Sequence, residues 1–327
     1  MSKNKLKIAS FFAGIGGFDY AAQKAGDFET VYANEISRRA YKTFEMNFPL
    51  EVDKRSIWDI KPEELPDFDV LCGGFPCQSF SSVGRHAGRQ DARGRLFYAL
   101  LPIIAYKKPR VLFLENVKGL LNHDKGQFLF DILQELADLG YFVKWNLINA
   151  KHYGPPQNRE RVYFVGFRNF CEYKNFEFPN IESTFEERCQ RKVECIDLNK
   201  TVENCYYADI NTHVGRRIFG FAKLFALLPG DFFCWKIDKF CLQPQDIFYC
   251  FCKQSCLFDG MTSLIDNAGR VRSLTAEEVI YIQGFLQDYK FNMTLSPCVI
   301  FGLIGNSVSI WVVKMIFEQI AEALSNG

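Results

Sequence analysis

Apolar and polar positions change period along this chain. In the first half, short continuous apolar runs alternate with stretches of helical spacing. Residues 6–12 are an apolar run that ends in Gly14-Ile15-Gly16-Gly17. Residues 18–25 then read as a helix, 30–33 as a second strand and 37–47 as a second helix. Residues 69–72 predict a third strand entering Gly73-Gly74, 96–106 a helix, 110–114 an apolar strand and 128–139 an amphipathic helix. Residues 143–148 and 162–167 predict further strands. Short strands separated by helices mean βαβ units and a mostly parallel sheet. Ligands of such sheets sit at the carboxyl ends of the strands. The glycine turn, Glu35, the 73–82 loop and Glu115 each follow a strand directly and are expected on one rim.

From about residue 170 helical periodicity fades, aromatic-rich runs appear (232–235, 248–251), and nine of the twelve cysteines fall between Cys171 and Cys256. A helix-like pattern returns near Thr275, and the chain ends in an amphipathic helix around 308–324. The texture predicts a large domain from residues 1–170 plus 298–327, and a smaller one with a hinge from 171–297.

Composition narrows the class. With 327 residues, 48% of them hydrophobic and 24% charged, the chain can bury a real core and is far from the disordered regime. A net charge of +1 gives no global pull toward nucleic acid or membrane, so such a partner needs a local basic patch. The apolar stretch after Lys3, Lys5 and Lys7 carries three glycines and no clean cleavage site, which fits a buried first strand better than a secretory signal. The cysteines are then expected as reduced thiols in the cytoplasm. Residues 291–313 hold no charge, but polar residues and Gly305-Asn306 interrupt them, which fits a buried loop and helix better than a membrane span. Cys250-x-Cys252-x-x-x-Cys256 lacks the paired spacing of a zinc site, and no metal is expected.

Four features carry chemistry. Phe12-x-Gly14-x-Gly16-Gly17 follows a strand and opens a helix, where glycines let backbone approach a ligand and the helix start favours an anion. Glu35 ends the next strand, where an acid takes ribose hydroxyls, so the two together suggest an adenosine-bearing cofactor. Cys77, set by Phe75-Pro76 after a strand, precedes Arg85, Arg89, Arg93 and Arg95, and nearby positive charge stabilises a nucleophilic thiolate. Cys72 suits a buried structural thiol better. Glu115-Asn116 ends an apolar strand, a desolvated place from which a carboxyl group can serve a base ring. In Gln157-Asn158-Arg159-Glu160-Arg161, strand alternation puts Arg159 and Arg161 on one face, able to orient a ring carbonyl and a phosphate.

The ordered series FxGxGG, Asn34-Glu35, Asp59-Ile60, GFPCQSFS, Asp91-x-Arg93-Gly94-x-Leu96-Phe97, Glu115-Asn116-Val117, QxRxR and Gly305-Asn306-Ser307-Val308 resembles the DNA cytosine-5 methyltransferases of bacterial restriction–modification systems. The resemblance covers 6–168 without a gap and 271–327 less well. It implies an α/β, Rossmann-like methyltransferase sheet with a smaller inserted target-recognition domain. It implies a nucleophile at Cys77 that adds to C6 of a flipped-out cytosine. Glu115 would then meet N3 and Arg161 would hold O2, with Arg159 in support. S-adenosylmethionine would be held by Phe12, Ala13, Gly14, Gly16, Gly17, Glu35, Asp59, Ile60, Pro76, Leu96 and Asn306. Phe75, Gln78, Ser79, Ser81, Arg93 and Asn116 would contact the substrate. The implied partners are duplex DNA with the flipped cytosine and a cognate restriction endonuclease, with the chain acting as a monomer.

The departures lie late. The family often stacks an aromatic on adenine after the ribose acid, where this chain has Ile36. An arginine and a proline expected after Glu278 are Tyr281 and Leu286, which puts the packing of the recognition domain in question. Residues 171–270 carry 12 Lys+Arg against 14 Asp+Glu, a net −2 that suits a duplex poorly. Two alternatives follow: the tRNA-methylating branch, which favours Pro-Pro-Cys where this chain has Phe75-Pro76-Cys77, and a decayed homologue that binds without turnover.

Overall fold

The first apolar run forms β1 (Leu6–Phe11), and the glycine turn opens α1 (Gly17–Ala25). The computed structural model describes residues 5–76, 95–155, 157–196, 199, 202, 207–208, 211, 232–236, 239–242, 248–249 and 262–327. The alternation continues through β2 (Phe28–Asn34), α2 (Arg38–Glu45), β3 (Val70–Gly74), α3 (Arg95–Lys107), β4 (Val111–Val117), α4 (Gln127–Asp138) and β5 (Phe142–Asn149). A two-residue strand, β6 (Gln157–Asn158), precedes β7 (Glu160–Phe167). Then come α5 (Phe170–Asn175), α6 (Phe185–Cys195), β8 (Phe232–Lys236), β9 (Lys239–Leu242), β10 (Phe248–Tyr249), β11 (Thr262–Ile265) and β12 (Val271–Ser273). Three helices close the chain: α7 (Ala276–Gln283), α8 (Pro297–Asn306) and α9 (Ile310–Ser325).

Backbone packing divides the chain into two units. One comprises Met1–Ile148, Glu160–Asn180 and Val312–Gly327; the other comprises Asn149–Arg159 and Ile181–Trp311. Residues 149–159 and 298–311 therefore pack with the second unit, whereas the sequence texture groups them with the first.

The first unit holds a six-stranded sheet in the order β2-β1-β3-β4-β7-β5. β2, β1, β3 and β4 run parallel, and β7 is antiparallel to β4. The strands are apolar on both sides because both faces are covered. On one face Leu112 and Leu114 pack in a cluster with Leu100, Ile103 and Ile104 of α3 and Ile132 and Leu136 of α4. On the other, the Phe113 ring meets Phe18 of α1 at 5.0 Å and Phe317 of α9 at 5.0 Å. Most of the final helix thus belongs to the large unit. Residues 297–325 are long and apolar enough to span a bilayer, but they form two helices, and 67% of their apolar window is buried in the protein.

Beneath the glycine turn lies a buried polar group. Asp19, 1% exposed, accepts hydrogen bonds from Ser10 Oγ at 3.0 Å and Thr30 Oγ1 at 2.8 Å. Burial raises its pKa from 3.8 to about 6. Between those values the folded chain holds a proton that the unfolded chain has lost, so this group's contribution to stability falls as pH rises through the window. Asp19→Asn removes the cost of the buried charge. It is expected to stabilise the protein above pH 6 by up to about 3 kcal/mol and to flatten the pH dependence below it. Urea denaturation at several pH values checks this; an unchanged midpoint at neutral pH contradicts it.

In the second unit a four-stranded antiparallel sheet has the order β12-β11-β8-β9. Helix α7 starts with a capping box between Thr275 and Glu278. The Glu278 carboxylate also takes both ends of the Arg272 guanidinium, at 2.9 Å each, and Arg272 is 0% exposed. This pair braces β12 against α7 in a chain that has Tyr281 where an arginine was expected. Glu278→Ala removes the carboxylate that takes both ends of a buried guanidinium and should cost about 3–5 kcal/mol. Equilibrium unfolding reads the loss, and a change below 1 kcal/mol would mean that the pair is not what holds the helix.

Candidate active site

The glycine turn is built by backbone shape. Phe12, Gly14 and Gly16 take φ of +53°, +60° and +83°. A phenylalanine in that region costs about 1 kcal/mol, so its surroundings hold it there. Ala13 N–H donates to the Asn34 carbonyl (3.0 Å), which ties the turn to the end of β2. A Cβ on Gly16 would strike the Phe48 ring at 2.5 Å, so that glycine lets the turn close onto two phenylalanines. A Cβ on Gly14 would meet nothing nearer than the Phe12 carbonyl at 4.0 Å. Gly14 is therefore present for its φ, and its backbone stays approachable by a ligand. Gly17 is the first residue of α1.

Glu35 closes this turn. Its carboxylate accepts the Gly14 N–H at 2.9 Å and the Ser37 N–H at 2.7 Å. Burial holds its pKa above the usual carboxylate value, opposed by those backbone hydrogen bonds. The glycine turn and the acid, 21 residues apart in sequence, are one structure. Asp59 is exposed at the end of a short 3-10 turn, and Ile60 is buried behind it. Ile60 and Phe75 belong to one hydrophobic cluster, against which Phe12 and Leu96 pack, so four of the expected residues share a core. Ile36 stands 69% exposed. An acid bound to an open glycine turn, with apolar neighbours, fits an adenosyl group.

The next two strands carry a second set. Glu115 on β4 and Arg161 on β7 form an ion pair at 3.0 Å, with side chains 11% and 13% exposed. Gly74 pairs with Glu115 across the sheet, and a Cβ there would lie 3.1 Å from a Glu115 carboxylate oxygen, so glycine makes room for the acid. Asn116 is buried; its amide nitrogen donates to the Phe75 carbonyl (3.1 Å) and its oxygen accepts the Val117 N–H (2.8 Å). Its amide thus holds the chain two residues before Cys77. Pro76 is half-buried beside Phe75. Cys77, Gln78, Ser79, Ser81 and Arg93 lie outside the described residues. Cys72 is fully buried and burial pushes its thiol pKa well up, as suits a structural thiol.

Strand alternation does not extend to Arg159. The sheet strand starts at Glu160, while Gln157 and Asn158 pair with β10. Arg159 is buried in the second unit, where its guanidinium donates to the carbonyls of Gly305 (3.3 Å) and Ser307. Arg159 thus lies outside the strand that carries Arg161, and strand alternation does not set its direction. Asn306, in the second unit, is the exposed last residue of α8. Among the described residues no cluster of His, Cys, Asp or Glu could hold a metal, and Cys250, Cys252 and Cys256 lie outside them.

Three features escaped the sequence. The Asn116–Phe75 hydrogen bond and the room left by Gly74 depend on strand register. Gln283, the last residue of α7, is fully buried and hydrogen-bonded. An amide among Ala276, Val279 and Ile282 at helical spacing was its signal.

Comparison with known proteins agrees with this geometry. A family profile described as C-5 cytosine-specific DNA methylase matches residues 6–226 and 238–322. The type II methyltransferase M.Bsp6I of Bacillus sp. strain RFL6 is 35% identical over 98% of this chain and 99% of its own. M.DsaV of Dactylococcopsis salina is 33% identical over 98% of this chain and 87% of its own. Among solved structures, the Entamoeba histolytica methyltransferase EhMeth superposes with a TM-score of 0.76 at 20% identity, covering 98% of this chain and 99% of that one, which shows the shared fold. The chain belongs to the C-5 cytosine-specific DNA methylase family.

Proposed function

We propose that this protein methylates C5 of cytosine in duplex DNA through a covalent Cys77 adduct, as the modification enzyme of a restriction–modification system. The observation that carries the reading is the Glu115–Arg161 pair at 3.0 Å, next in sequence to Asn116, which holds the Phe75 carbonyl two residues before Cys77. Phe12, Ala13, Gly14, Gly16, Gly17, Glu35, Asp59, Ile60, Pro76, Leu96 and Asn306 would hold S-adenosylmethionine, the family's methyl donor. When bound, it supplies an electrophilic methyl group.

The protein's part is to make C5 nucleophilic. A base in a duplex is out of reach until it is extruded. The Cys77 thiolate bonds to C6, which turns C5 into an enamine-type carbon. Glu115 meets N3, where charge develops, and Arg161 holds O2. Once C5 carried the methyl group, with its bond to the cofactor's sulfur broken and S-adenosylhomocysteine left behind, loss of the C5 proton to a base and cleavage of the sulfur–C6 bond would return the Cys77 thiolate and an aromatic ring. Arg159 has a supporting role, and Phe75, Gln78, Ser79, Ser81, Arg93 and Asn116 would contact the substrate. The first unit carries the chemistry and the second reads the sequence. A monomer in the cytoplasm, with a cognate endonuclease cutting the same site, completes the reading.

Transfer of labelled methyl to mixed duplex DNA and to bulk tRNA tests the substrate. Label in DNA supports the proposal. Label in tRNA alone overturns it for the tRNA-methylating branch, and no label from a protein that binds S-adenosylhomocysteine overturns it for a decayed homologue.

A further inference from the structure

Two ion pairs bridge the ends of β4 and β7, both within the first unit. The register sets Glu115 opposite Tyr163 and Val117 opposite Arg161. Alternation therefore puts the Glu115–Arg161 pair on one face of the sheet and the side chain of Glu160 on the other. Continued by one residue, the same register brings Lys118 opposite Glu160. There Lys118 Nζ donates to both Glu160 carboxylate oxygens, at 3.0 and 2.9 Å. The two faces are joined through one peptide: Arg161 Nη1 donates to the Glu160 backbone carbonyl at 2.8 Å, while its Nε lies 3.0 Å from Glu115.

Glu160 is the first residue of β7, and Arg159 before it belongs to the other unit. The end of a strand has few ladder bonds to hold it, so a cross-strand pair there decides where its peptide lies. The Lys118–Glu160 pair is half exposed and adds little to global stability. Its effect is local, on the carbonyl that takes one arm of the Arg161 guanidinium. We propose that Lys118 is a positioning residue, which clamps Glu160 at the start of β7 and so holds the Arg161 guanidinium toward Glu115 and the base ring. The inference rests on the reading that Arg161 holds O2 of the cytosine. In this role Lys118 touches neither base nor cofactor; it acts through the Glu160 peptide.

The test measures kcat for methyl transfer to duplex DNA, and DNA affinity at several salt concentrations, on the full chain. Lys118→Met keeps the side-chain length and removes the charge. It should lower kcat about fivefold and leave DNA affinity and its salt dependence unchanged. Glu160→Gln should do the same, and the double variant should be no worse than either single, because the two act as one unit. Exchanging the charges, Lys118→Glu with Glu160→Lys, should restore kcat to within about twofold of wild type, since the attraction does not depend on which strand carries which sign. Wild-type kcat in Lys118→Met, or an exchanged pair no better than the singles, overturns the inference. So does a loss of DNA affinity with a shallower salt dependence, which would make Lys118 a phosphate contact. Should the exchanged pair not fold, Lys118→Arg carries the rescue: wild-type kcat is expected, and a loss as large as that of Lys118→Met overturns the inference. Wild-type kcat in Arg161→Ala overturns the role of Arg161 itself, and the inference with it; a loss there beside wild-type kcat in Lys118→Met overturns the inference alone.

Discussion

Replacing Cys77 by serine abolishes methyl transfer and leaves cofactor binding intact. C5 of cytosine is a poor nucleophile until a group adds at C6, and a thiolate adds because a useful fraction of it is ionised near neutral pH. A serine hydroxyl is not ionised near neutral pH and is a far weaker nucleophile. Loss of a nucleophile of this kind costs about four orders of magnitude or more in kcat. The cofactor residues named above, with the Glu35–Gly14 hydrogen bond at their centre, do not use Cys77. S-adenosylhomocysteine should therefore bind the variant as it binds the parent. Turnover within tenfold of the parent would remove Cys77 from the mechanism. Cys72 cannot stand in for it, since burial suppresses its ionisation.

Glu115→Gln should have the next largest effect. The substitution keeps size and burial but removes the charge that pairs with Arg161 at 3.0 Å, and with it the group that can share a proton with N3. Such groups typically contribute a factor of about 100 or more. The loss should appear in kcat with little change in the affinity for DNA, because the interaction strengthens as charge develops on the ring. A variant that loses DNA affinity instead, with kcat unchanged, would make Glu115 a ground-state contact.

Much of the first unit was legible because its signals are local. Apolar runs and helical spacing located β1 to β4 and their helices, and each glycine turn sat where a strand had to stop. The meeting of Gly14 with Glu35 followed from their places at adjacent strand ends. What was not legible depends on register or on partners far away in sequence. Alternation made one face of Arg159 and Arg161, but a break at Arg159 hands that residue to Gly305 and Ser307, 146 and 148 positions on. The bond from the Asn116 amide to the Phe75 carbonyl at 3.1 Å was hidden because it depends on how β4 lies beside β3. The absence of an arginine at Tyr281 suggested weak packing, yet the fully buried Arg272–Glu278 pair supplies a brace from the neighbouring strand.

The most direct test of the account is a trapping experiment. A pool of duplexes in which 5-fluorocytosine replaces cytosine is incubated with the protein and S-adenosylmethionine, and the products are mapped by peptide mass. Fluorine cannot leave C5 as a proton does, so a covalent protein–DNA adduct should accumulate, dependent on the cofactor and attached at Cys77. No adduct from a preparation that methylates the unsubstituted pool, or an adduct on another cysteine, would contradict addition by Cys77 at C6.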